Sequence, residues 1–231
     1  MDEAAIGRRD QEVSKAKTSV NVPQHKNWLY ETTKRLLDIV ISLIGLLIMS
    51  PIMAAVAIAI KSHDGGPVIH KATRLGKNGK KFKMFKFRTM VMNADNLERW
   101  FTPKEIEKYK QEYKLDNDPR ITKIGSFLRK TSIDELPQLI SVLFNDMSLI
   151  GPRPIVESER CHYSDQEFDL LCSIKPGITG YWQVNGRSDS TYTSGKRQEL
   201  ELFYVKNRSF VIDFKILLMT FAVVLKGKGA K

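Results

Sequence analysis

Thiol and imidazole are scarce. The chain has two cysteines, Cys161 and Cys172, and four histidines, His25, His63, His70 and His162. None stands at C-x-x-C or a comparable ligand spacing, which speaks against a zinc or iron–sulfur centre. The two cysteines read as reduced thiols, buried or inert, in a cytosolic compartment. An internal repeat and a low-complexity tract are also lacking. So is an apolar run directly after Met1, which excludes a signal peptide there. Acid is missing from Gly65 to Ala94, where eight basic residues stand: Lys71, Arg74, Lys77, Lys80, Lys81, Lys83, Lys86 and Arg88. Together with a net charge of +11, that surplus points to a polyanionic partner. Nucleic acid, an anionic membrane and a phosphorylated substrate all fit the charge.

What is present narrows the choice. The 231 residues are 42% hydrophobic, enough for one core with attachments. Residues 1–30 are polar and aperiodic and read as a mobile tail. Leu36–Ile60 is a run of 25 almost wholly apolar residues, LLDIVISLIGLLIMSPIMAAVAIAI. As a helix it would reach about 37 Å, longer than a hydrocarbon core of about 30 Å. Such a run argues against a nucleic-acid binder. Two features disturb a plain crossing. Pro51, after Ser50, removes a backbone hydrogen bond in mid-run. Asp38 is tolerated only near a polar boundary.

Charge flanks both ends, with Lys34 and Arg35 before the run and Lys61 and the basic stretch after it. Positive residues favour the cytoplasmic side, so both ends ask for the same side. A re-entrant helix over 31–63, broken at Ser50-Pro51, satisfies both; a kinked single span is the alternative. In the re-entrant form, Ser50 would bond backbone groups that Pro51 frees.

Residues 64–231 form the folded domain in this reading. The pattern predicts an α/β fold, mostly α with a short β-hairpin. The hairpin joins strands at Val68–Ala72 and Lys81–Phe87 around Gly76-Lys77-Asn78-Gly79. Helices are expected over 93–113, with a second start at Pro103, and over 121–130, 135–145 and 196–207. Phe210–Leu225 contains Asp213 and Lys215. Its uncharged part is too short to span, so it reads as a helix at the membrane surface.

Three segments carry candidate chemistry. In Arg129-Lys130-Thr131-Ser132-Ile133-Asp134-Glu135-Leu136-Pro137 an acid pair stands at the start of a helix. Ser132 with Glu135 reads as a capping box, or Asp134 itself as the cap with Pro137 in the first turn. Either way Asp134 meets unpaired backbone N–H groups, which attract phosphate. An ionised carboxylate there can attack phosphorus, and Mg²⁺ held by one carboxylate and by phosphate oxygens would balance the charge. Capping and chemistry both remain open on the residues alone.

In the second segment, Asp146–Pro154, two prolines bracket Arg153 and aim its guanidinium, which suits phosphate oxygens. A rigid turn is the plainer reading. In the third, Lys175–Arg187, glycines, aromatics and Arg187 suit a nucleotide; a Gly-rich hairpin with its Trp in the core is the plainer reading. Of the basic stretch, Lys86 and Arg88 are the site candidates, because KFRTM closes a strand.

Taken in order, KRLLDIVISLIGLLIMSP, GPVIHKATRLGKNGKKFKMFKFRTM, LRKTSIDELPQLISVLFNDMSLIGPRP and KPGITGYWQVNGR resemble the bacterial sugar transferase family. Its members are monotopic phosphoglycosyl transferases. The resemblance runs from about Lys34 to the C-terminus. It implies an enzyme on the cytoplasmic face of a bacterial inner or plasma membrane. That enzyme moves a hexose-1-phosphate from a UDP-sugar to undecaprenyl phosphate and releases UMP, the first membrane step of exopolysaccharide, capsule or O-antigen synthesis.

The resemblance makes Asp134 the nucleophile and Glu135 the Mg²⁺ ligand. It assigns Arg74, Lys86, Arg129, Arg153 and Arg187 to phosphate, and the membrane-helix break to Ser50-Pro51. Glu201 stands where many members carry Asp, which weakens a catalytic role for it. NGRSDSTY and the C-terminal GKGA look like hexose-transferring members, which favours UDP-galactose or UDP-glucose. Further N-terminal membrane helices of larger members are missing, so the chain reads as a minimal form or the catalytic part of a longer one. Membrane lipids are implied partners and nucleic acid is not; a homodimer stays open. The rival reading is a membrane-bound scaffold with a decayed site, against which the intact Asp134-Glu135 pair counts.

Overall fold

The computed structural model describes residues 28–112, 115, 117–186 and 190–226. The element order is α1 (Trp28–Asp64), β1 (Ile69–Leu75), β2 (Lys81–Phe87), α2 (Leu97–Trp100), α3 (Pro103–Glu112), α4 (Lys123–Thr131), α5 (Gln138–Leu143), β3 (Ser148–Ile150), α6 (Asp165–Leu171), β4 (Gly177–Thr179), α7 (Tyr181–Asn185), α8 (Lys196–Asn207) and α9 (Phe210–Lys226). The expected mostly helical α/β character holds.

Helix α1 has 37 residues and is long and apolar enough to cross a membrane. It begins at Trp28, earlier than the tail boundary read from the sequence. Only Tyr30, Asp38, Ser42 and Ile60 are buried on it. Asp38 and Ser42, with half-buried Gly45, recur at helical spacing and form the seam against α5. Small residues let the backbones approach, and a Cβ on Gly45 would stand 3.2 Å from Leu139 Cδ1.

Asp38 is buried against the folded domain. It is 5% exposed and accepts the Leu149 backbone N–H at 3.0 Å. One turn earlier, the Arg35 guanidinium donates to the carbonyls of Val142 (2.7 Å) and Leu143 (3.1 Å), the end of α5. Lys34 pairs with Asp213 of α9 at 2.8 Å, and Tyr30 donates to the same carboxylate.

The far end of α1 docks on the same body. Ile60 packs with Phe87 and Leu128, and Asp64 pairs with Arg88. Between the two anchors Pro51 leaves the Leu47 carbonyl without its helical donor. The Ser50 hydroxyl fills that place at 2.8 Å, as expected from the sequence. Leu47 and Ile48 beside it are 76% and 61% exposed, so the apolar middle projects away from the domain.

β1 and β2 pair antiparallel from Ile69↔Phe87 to Leu75↔Lys81, so β1 runs three residues beyond the expected strand. The turn uses Asn78 (φ 59°) and Gly79 (φ 69°). The segment Lys175–Arg187 is not a hairpin. β4 pairs in parallel with β3, and α7 follows with Trp182 buried. Glycines on both sides permit that approach, because a Cβ on Gly177 would stand 2.1 Å from the Gly151 nitrogen. This pair lies over the main core, where Ile155, Phe168, Leu171, Tyr204 and Ile216 meet. Helix α8 occupies the expected 196–207, yet it buries Arg197 and Glu201 as well as Leu202, Tyr204 and Val205.

The Asp38 bond carries the first expectation. Asp38→Ala leaves the Leu149 N–H buried without an acceptor and costs about 1.5–3 kcal/mol. Thermal unfolding in detergent should show the loss, whereas Ser50→Ala, in the exposed middle, should fall well short of it.

Candidate active site

The central turn begins where α4 ends. Thr122 caps that helix, its hydroxyl accepting the Gly125 N–H at 2.9 Å. Gly125 lies so close to β2's extension that a Cβ there would stand 1.9 Å from the Thr89 carbonyl oxygen. That approach brings Arg129, one helical turn on, to donate through Nε to the Thr89 hydroxyl at 2.9 Å. Ser132 closes α4 in the left-handed region (φ 57°, ψ 16°), its N–H satisfying helix carbonyls.

The chain then makes a single 3₁₀ turn, Ile133–Glu135, before α5. Neither capping expectation survives. The Ser132 side chain makes no cap bond, and Pro137 is the residue preceding α5, with Asp134 three residues before it. Asp134 is held inside the turn by burial of Ile133 against the Phe87–Leu128 cluster.

Asp134 is 8% exposed. Burial raises its pKa to about 6; the Lys86 ammonium opposes the rise, the Glu135 carboxylate adds to it, and Arg129 opposes it again. Lys86 on β2 reaches Glu135 Oε1 at 2.7 Å. Burial also lowers the Arg129 pKa, against the attraction of Asp134 and Asp118. Two acids and two cations from β2, α4 and the 3₁₀ turn therefore form one electrostatic unit.

Of the other predicted site residues, Arg74 and Arg153 share a second cluster. Arg74 pairs with Phe82 and Lys86 with His70, four positions apart along β1 and so about 13 Å. Burial lowers the Arg74 pKa, and repulsion from Arg153 adds to the effect. Arg153 lies over the Trp182 ring at 5.6 Å, and its backbone N–H donates to Glu201 Oε2 at 3.0 Å. Arg88 belongs to neither cluster: its guanidinium holds Asp64 at the end of α1. Arg187 lies outside the described residues.

Several participants were not anticipated. Arg197 stands over Trp182 (4.5 Å) and Tyr192 (4.0 Å) and bonds Glu159 at 3.3 Å. Glu201, passed over as a departure from pattern, is 1% exposed. Burial raises its pKa to about 7 against the pull of Arg197 and the Arg153 N–H. Arg120 is chelated by Asp118 and lies against Phe101 (4.6 Å) and Tyr109 (4.9 Å), clasping α3 to the domain. Tyr109 acts electrostatically on both Arg74 and Arg129, so α3 lies beside both clusters. Only DPR, with its acid two residues before an arginine, hinted at this clasp.

The charge balance at Asp134 can be tested by titration. Lys86→Met removes an opposing cation and should move the Asp134 pKa upward from about 6; Glu135→Gln removes a neighbouring anion and should move it downward. Carboxyl carbon shifts followed by NMR against pH would read both, and movement of both variants in one direction would refute this balance.

Known proteins resemble this chain over most of its length. The model of the bacterial sugar transferase family matches residues 29–227. An undecaprenyl-phosphate galactose phosphotransferase of Salmonella typhimurium is 46% identical over 200 residues, 85% of this chain and 41% of that protein. A UDP-glucose:undecaprenyl-phosphate glucose-1-phosphate transferase of Escherichia coli is 40% identical over 200 residues, 84% of this chain and 40% of that protein. The exopolysaccharide production protein ExoY of Sinorhizobium fredii is 39% identical over 201 residues, covering 86% of this chain and 88% of the relative. The chain thus spans less than half the length of the first two and most of the third. With 29–227 containing both charged clusters and the helix that anchors them, the chain belongs to the bacterial sugar transferase family.

Proposed function

We propose that the chain transfers a hexose-1-phosphate from a UDP-sugar to undecaprenyl phosphate through an aspartyl-phosphosugar at Asp134. One observation carries the reading: the Asp134 carboxylate, buried in one short turn and raised to about 6, lies within electrostatic reach of Lys86 from β2 and Arg129 from α4. In the first step an Asp134 oxygen bonds the sugar-linked phosphorus. The bond to the bridging oxygen breaks, and UMP leaves with the electron pair. In the second step an oxygen of undecaprenyl phosphate bonds the same phosphorus and the carboxylate leaves. The acid is regenerated, and a sugar diphosphate lipid results. One demanding transfer becomes two in-line displacements.

Lys86 and Arg129 neutralise charge on the transferring phosphate. The Arg74–Arg153 cluster, about 13 Å along the hairpin, suits the remainder of an extended, anionic donor. The relatives' names support galactose or glucose as the sugar.

Magnesium fits the donor set. Among the described residues no group of three or more acidic, imidazole or thiol ligands gathers, which is unlike an all-protein cage. Mg²⁺ commonly binds through one or two carboxylates plus substrate phosphates. Glu135, with its side chain 31% exposed, would hold it beside Asp134. When bound, the ion screens phosphate charge against the incoming carboxylate.

The re-entrant reading of α1 draws support from two features: both of its ends hold the same domain, and its middle is exposed and apolar. In this reading α1 enters one leaflet and returns at Ser50-Pro51. Phe144, Phe210, Phe214 and Phe221 are exposed as well and seat the domain on the lipid surface of the cytoplasmic face.

Two outcomes test this reading. With UDP-galactose or UDP-glucose and Mg²⁺, wild type should release UMP and gain a phosphosugar mass on Asp134. Asp134→Asn should lose on the order of 10³-fold or more of the rate. Because the ionised form attacks, adduct formation should fall about tenfold per pH unit below about 6 and level off above it. UMP release unchanged in Asp134→Asn would end the assignment. For topology, a cysteine placed near residue 10 should resist an impermeant thiol reagent added to intact cells; labelling from outside would show a crossing helix.

A further inference from the structure

The run Lys86-Phe87-Arg88-Thr89 closes β2, and each of its side chains goes a different way. Lys86 pairs with Glu135, Phe87 enters the core beside Leu128, and Arg88 holds Asp64. Thr89 reaches Arg129, its hydroxyl accepting the Nε–H at 2.9 Å. One strand end thus supplies one cation of the site directly and grips the other through a hydroxyl.

That hydroxyl is a rigid acceptor. Thr89 is buried. Its carbonyl accepts the Thr122 N–H at 3.0 Å, and Gly125 leaves no room for a Cβ beside that carbonyl. The chain is pinned on both sides. The Arg88 N–H donates to the Val68 carbonyl at 2.9 Å, and the Val91 N–H donates to the Arg120 carbonyl at 2.8 Å. A branched side chain on such a backbone has little freedom at its first torsion. Arginine is long and flexible, but its guanidinium is a flat fork. Holding Nε fixes one edge of that plane, and with it the direction of the two terminal amino groups.

The neutral partner matters. Among the described residues, Arg88, Arg120 and Arg197 pair with the carboxylates of Asp64, Asp118 and Glu159. A carboxylate at Nε would orient Arg129 as well but would cancel much of its charge. A hydroxyl orients it and leaves the charge to act on its surroundings, where the strongest attraction comes from Asp134.

We propose that Thr89 is a positioning residue for the transfer, aiming the terminal amino groups of Arg129 at the phosphate that meets Asp134. The inference rests on the proposed reaction at Asp134 and adds what sets the direction of one of its two cations. Thr89 acts through Arg129 and not on the substrate. Donors aimed in advance need no reorganisation as charge develops on the phosphate.

Thr89→Val keeps the branched shape and removes the hydroxyl. With UDP-galactose or UDP-glucose as donor, kcat and kcat/KM for UMP release should fall together by on the order of tenfold, with KM changed by less than about twofold. Thr89→Ser, which restores an acceptor, should recover most of the loss. In an Arg129→Met background no Nε remains to be held, and Thr89→Val should then cost less than about twofold more. A readout independent of turnover is exchange of the Arg129 Nε proton with water, followed by NMR in detergent. It should be slow in wild type and Thr89→Ser and faster in Thr89→Val.

An undiminished kcat in Thr89→Val, no recovery in Thr89→Ser, or the same loss with and without Arg129 would overturn the proposal. So would an Nε proton whose exchange ignores the Thr89 substitution. Failure of wild type to release UMP would count against the proposed reaction instead, and the proton exchange would still decide whether Thr89 holds Arg129.

Discussion

A polar side chain buried on an apolar helix must find a partner, and Asp38 finds the Leu149 N–H. That bond, with the Arg35 bonds one turn away, fixes α1 to the α5–β3 corner. The same corner holds the approach to Asp134 on one side and the Arg153 loop on the other. The anchor and the chemistry therefore share one rigid piece. In the proposed reaction the acceptor's phosphate lies at head-group level, and a catalytic turn locked to α1 would arrive at a set depth, removing a search that free diffusion would otherwise require.

Much of this was legible, and the gaps have physical causes. The hairpin, α8 and the Pro51 interruption follow from local periodicity and from a missing N–H. Ser50 was expected to bond a backbone group that Pro51 frees, and the Leu47 carbonyl proves to be that group. Asp38, Ser42 and Gly45 were visible at helical spacing, but their partners lie more than ninety residues away in the chain. The parallel β3–β4 pair is equally nonlocal, so its glycines read as a hairpin. The conformation at Ser132 was hidden as well, since a left-handed serine carries no local signature and the tertiary packing of Ile133 enforces it. Arg88 was grouped with Lys86 because both lie on one strand end; the end of α1, not the site, claims it.

The two charged clusters are balanced differently. Around Asp134, two acids meet two cations, and Glu135 is partly open to solvent. Around Arg153, three arginines meet two buried acids, one of which, Glu201, is raised to about 7. The second cluster carries the larger positive excess and the aromatic faces of Trp182 and Tyr192. In the proposed reaction this centre would hold an anion of fixed shape, and the first, nearly neutral, would pass a phosphate from one oxygen to another. Glu201 acts through the backbone: its bond to the Arg153 N–H fixes the loop that carries the guanidinium. An aspartate there would reach the same N–H only if backbone or loop moved closer.

The acidity of Asp134 joins these threads. A fully solvated aspartate is ionised at neutral pH but is a weak base and a poor nucleophile. A fully desolvated one would be protonated and inert. Burial by the Phe87–Leu128 cluster pushes the group toward the second condition, and Lys86 and Arg129 draw it back. The resulting value of about 6 leaves most of the population ionised at neutral pH while retaining more basicity than an exposed acid.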